Sequence, residues 1–254
     1  MTAACLKKWN FMLKIKNLQV RLKKKLILDK IDLSIKESQT HVLMGQNGAG
    51  KSTLAQSIMG NPNYVVKGEL FFAKQDLLEL DPAKRANLGI FLSFQQILEI
   101  PGVKIYDYLK LLYKKSHDKK LTPLKFKAFL KERMAILDFK EEFLTRSLNY
   151  GFSGGEKKKL EILQMLVIEP KLIILDEIDS GLDIDAIKKV ATAVNFMKQE
   201  KDSAVLVITH YSRILQFLEI DQVHLLKEGR IIKTGDAKLV AQIEEQGFAT
   251  LSGN

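Results

Sequence analysis

The chain reads as an α/β fold: a mostly parallel sheet core with an antiparallel β layer and an inserted helical subdomain. Three observations predict it. Uninterrupted apolar strands, Leu172–Leu175 and Val205–Ile208, alternate with helical patterns, as expected of parallel strands covered on both faces. Two early stretches, Leu13–Lys16 and Ile31–Ile35, instead alternate apolar and polar residues, as half-buried antiparallel strands do. From about residue 97 to 169 the apolar spacing becomes helical and the lysines thicken.

Taken in order, residues 1–11 carry no usable pattern, and Met12, where the folded pattern begins, stands beside Met1 as a candidate native start. His41–Met44 is a short buried strand that leads into the glycine-rich run Gly45–Thr53, and Ser52–Met59 is the helix after it. Gly68–Phe72 is another strand. Asp81 as N-cap and Pro82 at the first helical position begin a short helix that Gly89 ends. Ile90–Phe94 is a buried strand running into Gln95. In the helical segment, Tyr108–Tyr113 and Leu124–Leu137 are amphipathic, and Pro170 closes it. A helix then lines up Ile187, Val190, Ala191, Val194 and Met197 on one face. Val223–Ile232 is a hairpin turning at Glu228-Gly229, and Ala237–Gln246 is a last helix. One domain results, with a catalytic core of 12–96 and 170–254 and a helical subdomain of 97–169.

The totals bound the function. A length of 254 residues supports one large α/β domain, and 46% hydrophobic with 28% charged residues is ordinary for a globular protein. No run approaches the ~18 apolar residues of a membrane span, so direct membrane insertion is not expected. The first 16 residues lack a continuous apolar segment, which argues against a signal peptide and for a cytoplasmic location, an organelle matrix or stroma staying open. A lone cysteine, Cys5, excludes an internal disulfide and an all-cysteine metal cage. The net charge of +10 comes from lysine runs such as Lys23–Lys25 and Lys157–Lys159. These are dispersed and lack interleaved aromatics, so they read as solvated surface rather than a nucleic-acid groove.

Three stretches carry chemistry. Gly45-Gln46-Asn47-Gly48-Ala49-Gly50-Lys51-Ser52-Thr53 fits the phosphate-loop spacing of Gly, four residues, Gly, Lys, Ser/Thr. Its glycines let backbone N–H groups curl round a phosphate, Lys51 reaches the terminal phosphates, and the Ser52 hydroxyl is placed to ligate Mg²⁺. A glycine-rich turn that binds nothing is the bland alternative; the flanking strand and helix disfavour it. Leu172–Glu177 is a strand ending in two carboxylates. Asp176 is expected in the Mg²⁺ shell and Glu177 as the group that orients or deprotonates the attacking water. Ser153-Gly154-Gly155-Glu156 is a capping-box pattern that starts a helix. Two glycines in a first turn cost roughly 1 kcal/mol each relative to alanine, so a plain cap has no need of them. Bare N–H groups at a helix tip suit a second phosphate contact.

With Gln95, Ser180-Gly-Leu-Asp183 and His210, these stretches stand in the order of the ABC-type ATPase domain, which the chain resembles from about Leu13 to Phe248. They look like its Walker A, Q-loop, signature, Walker B, D-loop and switch-histidine motifs. The resemblance implies a phosphate-loop NTPase fold hydrolysing ATP with Mg²⁺. It implies that Gln95 senses the γ-phosphate and metal, that Glu177 is the catalytic base and that His210 contacts the γ-phosphate. Ser153, Gly154, Gly155 and Asp183 would meet ATP held by a second copy, in a transient head-to-tail homodimer. More closely, Phe94-Gln-Gln with Glu99–Val103, Asn149–Lys158, Leu175–Ala186, Thr209–Leu215 and Glu244–Phe248 resemble the SufC-like ATPases of SUF iron–sulfur cluster assembly. That resemblance implies SufB- and SufD-like scaffold partners, docked around Glu99–Tyr113.

Two departures from the family pattern stand out. The signature begins with Phe152 and carries Glu156 where glutamine is usual, as in the SufC-like group. Arg21–Leu28 holds no aromatic residue to stack on adenine, so a loose grip on the base is expected. The rival readings are the ATP-binding subunit of a membrane transporter and a nucleic-acid-linked ABC ATPase. The compact single unit argues against the second, and no nucleic-acid partner is expected.

Overall fold

The computed structural model describes residues 10–93, 97–117, 121–210 and 213–250. Met1, Cys5 and Gln95 lie outside them. The elements are β1 (Leu13–Leu22), β2 (Lys25–Ile35), β3 (Thr40–Met44), α1 (Lys51–Met59), β4 (Tyr64–Phe72), β5 (Gln75–Asp76), α2 (Pro82–Asn87), β6 (Ile90–Leu92), β7 (Ile100–Lys104), α3 (Ile105–Ser116), α4 (Pro123–Leu137), β8 (Ser147–Leu148), α5 (Gly154–Ile168), β9 (Leu172–Asp176), α6 (Ile184–Lys201), β10 (Ala204–Ile208), β11 (Gln222–Lys227), β12 (Arg230–Gly235) and α7 (Lys238–Thr250).

Six strands form the central sheet in the order β12-β11-β3-β10-β9-β6. All its pairings are parallel except β11 with β12, the hairpin that turns at Glu228-Gly229. Every residue of β3, β9 and β10 is buried, which is why those strands read as unbroken apolar runs. Their two faces feed two clusters. Leu43, Ile174 and Leu206 pack with α1 and the antiparallel layer, through Leu54 and Ile58. Val42, Ile173 and Val207 pack with the helices on the other side. The parallel strands therefore bring their carboxyl ends, at Met44, Asp176 and Ile208, to one rim.

The second sheet, β2-β1-β4-β5, is antiparallel throughout. Its strands run well past the expected stretches. Alternation in β1 breaks at Asn17, which takes a φ of 48° at a register shift, so Ile15 and Leu18 are both buried although three residues apart. Gly68 sits against that bulge: a Cβ there would lie 2.5 Å from the Asn17 carbonyl oxygen.

The helical segment has no core of its own. Leu130 and Met134 of α4 and Leu160 and Leu163 of α5 share one apolar cluster with Ile187 and Val190 of α6. At its base Glu169, which ends α5 with a φ of 52°, accepts from Arg133 at 2.8 Å and lies 3.0 Å from Lys201 and 3.2 Å from His117. Burial pushes this carboxyl up, but the bonds from His117, Arg133 and Lys201 prevail and hold it at about 2. The segment also contains a two-stranded ladder, β7 with β8, that no sequence pattern announced. Pro101 and Gly102 and a fully exposed strand conceal it. The Asp81 cap is as expected, accepting from Lys84 N–H at 2.9 Å.

Candidate functional site

The phosphate loop lies between β3 and α1. Its glycines answer to its own packing. A Cβ on Gly45 would sit 2.4 Å from the Leu226 carbonyl oxygen, and one on Gly50 would sit 2.6 Å from Leu28 Cδ2, at a φ of 107°. α1 follows with no side-chain cap and no acidic residue in its first turn, leaving its first N–H groups for an anion. Lys51 is buried, and its Nζ donates to the carbonyls of Gly45 at 2.8 Å and Gln46 at 3.1 Å. Burial lowers its pKa, and the carboxylates of Glu177 and Asp176 oppose that.

Asp176 ends β9 beside this loop. Its N–H donates to Ser93 Oγ at 2.9 Å, and the Ser52 hydroxyl bonds its carboxylate. Burial raises its pKa; the Ser52 bond and the charge of Lys51 pull it down, while neighbouring Glu177 pushes it up. Its Oδ1 is buried and has no partner. An orphaned carboxylate oxygen next to a serine hydroxyl fits a hard divalent cation. Among the described residues no three His, Cys, Asp or Glu side chains gather to cage a metal alone. That suits Mg²⁺, which takes one or two protein ligands and shares the rest with phosphates and water.

Glu177 adopts a left-handed φ of 54°, uncommon outside glycine, with its N–H on the Ile208 carbonyl at 2.9 Å. The turn brings its Oε1 to 3.1 Å from His210 Nδ1. β9 and β10 thus bring Asp176, Glu177 and His210 to the rim that holds Lys51 and Ser52. Gln95 falls outside the described residues.

The signature residues are not joined to this loop by any hydrogen bond among the described residues. Ser153 is the expected cap of α5: it accepts from Glu156 N–H at 3.3 Å, and Glu156 returns the bond to Ser153 N–H at 2.8 Å. Asp183 is likewise the cap of α6, accepting from Ala186 N–H at 2.7 Å. A Cβ on Gly154 would meet nothing within 4 Å, and one on Gly155 only Leu182 at 3.8 Å.

Two lysines read as solvated surface are engaged instead. Lys158 Nζ donates to the carbonyls of Ser180 at 2.5 Å, Ile178 at 2.9 Å and Glu177 at 3.3 Å, so α5 holds the turn that carries Glu177. Lys157 Nζ donates to Glu99 Oε1 at 2.6 Å. Main-chain carbonyls leave no trace in a sequence, so nothing there could have singled out Lys158. Phe248 is a second surprise: with Gln46–Ala49 and Leu225–Glu228 it lines a cavity of about 250 Å³ beside the phosphate loop.

A phosphate-gripping loop, a buried metal-type carboxylate and a half-buried glutamate–histidine pair on one sheet rim define a nucleoside-triphosphate-binding ATPase of the phosphate-loop class. Comparison with known proteins makes this specific. The ABC transporter family profile matches residues 28–180, and the chain belongs to that family. It is an ABC ATPase, and it binds ATP. Relatives include the probable ATP-dependent transporter ycf16 of Antithamnion sp., 46% identical over 246 residues and covering 95% of this chain and 98% of that one. Another is the probable ATP-dependent transporter slr0075 of Synechocystis sp., 46% identical over 241 residues, 93% and 94% covered. Among solved structures the dimeric ABC transporter cassette MJ0796 shares the fold, with a TM-score of 0.76 and 24% identity over 89% of this chain and 98% of that one. No helix among the described residues is long and apolar enough to cross a membrane.

Proposed function

We propose that two copies of this chain pair head to tail around ATP and hydrolyse it, driving conformational change in SufB- and SufD-like partners during iron–sulfur cluster assembly. One observation carries the pairing: no neighbour inside the chain would clash with a Cβ on Gly154 or Gly155, although alanine would make a better helix. Glycines with open space over a helix tip suit the close approach of a nucleotide from outside. The dimer reported for MJ0796 supports the same reading.

In this mechanism the loop amides and Lys51 grip the triphosphate. Ser52 and Asp176, with Gln95 as the resemblance implies, would hold Mg²⁺, which would neutralise charge on the phosphates. Glu177 accepts the proton of the attacking water, and His210, already 3.1 Å from it, orients the carboxylate and then meets the γ-phosphate. Ser153–Gly155 and Asp183 of the second copy complete the site. With Cys5 its only thiol, the chain offers no ligand set for a cluster, which stays on the partners.

The SUF assignment rests on the SufC-like segments, from Glu99–Val103 to Glu244–Phe248. The relatives' names favour a second reading, the ATP-binding subunit of a membrane transporter. Affinity capture from native cells separates them: SufB- and SufD-like chains in the eluate support the first, and an integral membrane protein in their place overturns it.

A further inference from the structure

The segment just after Gln95 is exposed and apolar: Leu98 is 75% exposed, Ile100 41%, and Tyr150 beside them 59%. It is also tied to the start of α5 at several points. Asn149 Nδ2 donates to the Leu98 carbonyl at 2.8 Å, Gly102 N–H donates to Ser147 Oγ at 3.1 Å, and Ile100 pairs with Leu148 in the β7–β8 ladder. From Asn149 the chain reaches Ser153 through a closed turn, with Tyr150 N–H on the Ser147 carbonyl and Phe152 N–H on the Asn149 carbonyl. Phe152 itself is buried, 5.1 Å from the Phe143 ring. On the far side of the tip, one turn into α5, Lys157 reaches back to Glu99 at 2.6 Å. Two consecutive residues, Leu98 and Glu99, therefore hold the tip from both flanks. A displacement of 98–99 is coupled to Ser153–Gly155 from both sides.

We propose that Glu99 and Lys157 are positioning residues for ATP hydrolysis. Their bond transmits the placement of the exposed 98–104 segment to the glycine tip that enters the mate's site. The inference rests on the head-to-tail reading. It predicts an effect on turnover out of proportion to stability, since a pair this accessible to water contributes little to folding. The pair touches neither the phosphate loop nor Asp176, so the loop's own hold on nucleotide is unaffected.

A charge-swap cycle on the full chain tests it: Glu99→Lys, Lys157→Glu and the double variant, each assayed for kcat, KM and Tm. Each single variant should lose roughly threefold to thirtyfold in kcat with KM and Tm little changed, and the double swap should recover most of the loss. Single variants with full kcat, or a double variant no better than the singles, overturn the link. The dependence of kcat on protein concentration in the unaltered chain separates the two readings. Loss of that dependence sinks head-to-tail pairing itself and the link with it; normal dependence with unaffected single variants sinks the link alone.

Discussion

Two pairs of glycines, one in the loop between β3 and α1 and one at the start of α5, have different surroundings. Gly45 and Gly50 are hemmed in by Leu226 and Leu28 of the same chain. Gly154 faces open space, and a Cβ on Gly155 would make only an ordinary contact with Leu182 at 3.8 Å. The first pair answers to packing within the chain; for the second we propose a partner outside it. A half-site whose demands are internal is complete in one copy. A half-site whose demands are external waits for another.

Substitution separates the two. The largest effect should come from Glu177→Gln, which removes the proposed base: kcat should fall by about 10²- to 10⁴-fold. With ATP in excess this variant should also accumulate as a pair on sedimentation, and a strictly single species would break the comparison. Gly155→Ala should come next. It should cut hydrolysis severely while Tm holds or rises, because alanine gains ~1 kcal/mol of helix propensity and meets no clash. Gly50→Ala should do the reverse to Tm, lowering it through a strained φ and an overpacked contact worth about 1–3 kcal/mol. If both alanines moved Tm in the same direction, the distinction would fail.

Stability should also respond to pH in a way set far from the site. His41 on β3 and His224 on β11 are buried side by side, Nδ1 to Nε2 at 3.0 Å, in a chain that runs from Gln39 to Thr234. Burial holds both near 4. A folded pKa below the unfolded value of 6.5 means that each imidazole takes up a proton only on unfolding. Stability is therefore full above pH 6.5 and falls as pH drops from 6.5 towards 4, with a slope of up to ~2.7 kcal/mol per pH unit for two protons. Urea titrations across that window should show it, and His224→Gln should halve the slope. Glu169 adds a lower window: its stabilisation is present above about 4.5 and is lost as pH falls towards 2. Glu169→Gln should cost ~2 kcal/mol by uncovering Arg133. The smallest effect concerns the base. With no aromatic residue in 21–28, ATP and GTP should turn over within about tenfold of each other.

Legibility followed chemistry and burial. Strands β3, β9 and β10 were plain because both faces are buried, and Lys51, Ser52, Asp176 and Glu177 stood out because the phosphate-loop spacing and paired strand-end carboxylates are local patterns. β1 was lost after Lys16, where Asn17 breaks the alternation, and β7 was lost under Pro101 and Gly102. Lys157 and Lys158 read as bland surface because the groups they serve lie 58 and about 20 positions away in the chain. Side chains that act on distant main chain carry no local pattern.

Phe248 gives the molecule a practical handle. α7 breaks at Gly247, whose φ of 73° and ψ of 161° leave the helix, and the next side chain lines the hollow against Gln46–Ala49. The chain has a single tryptophan, Trp9. An indole installed by Phe248→Trp would therefore give a second emission source within reach of the arriving triphosphate, and its brightness would follow occupancy in real time.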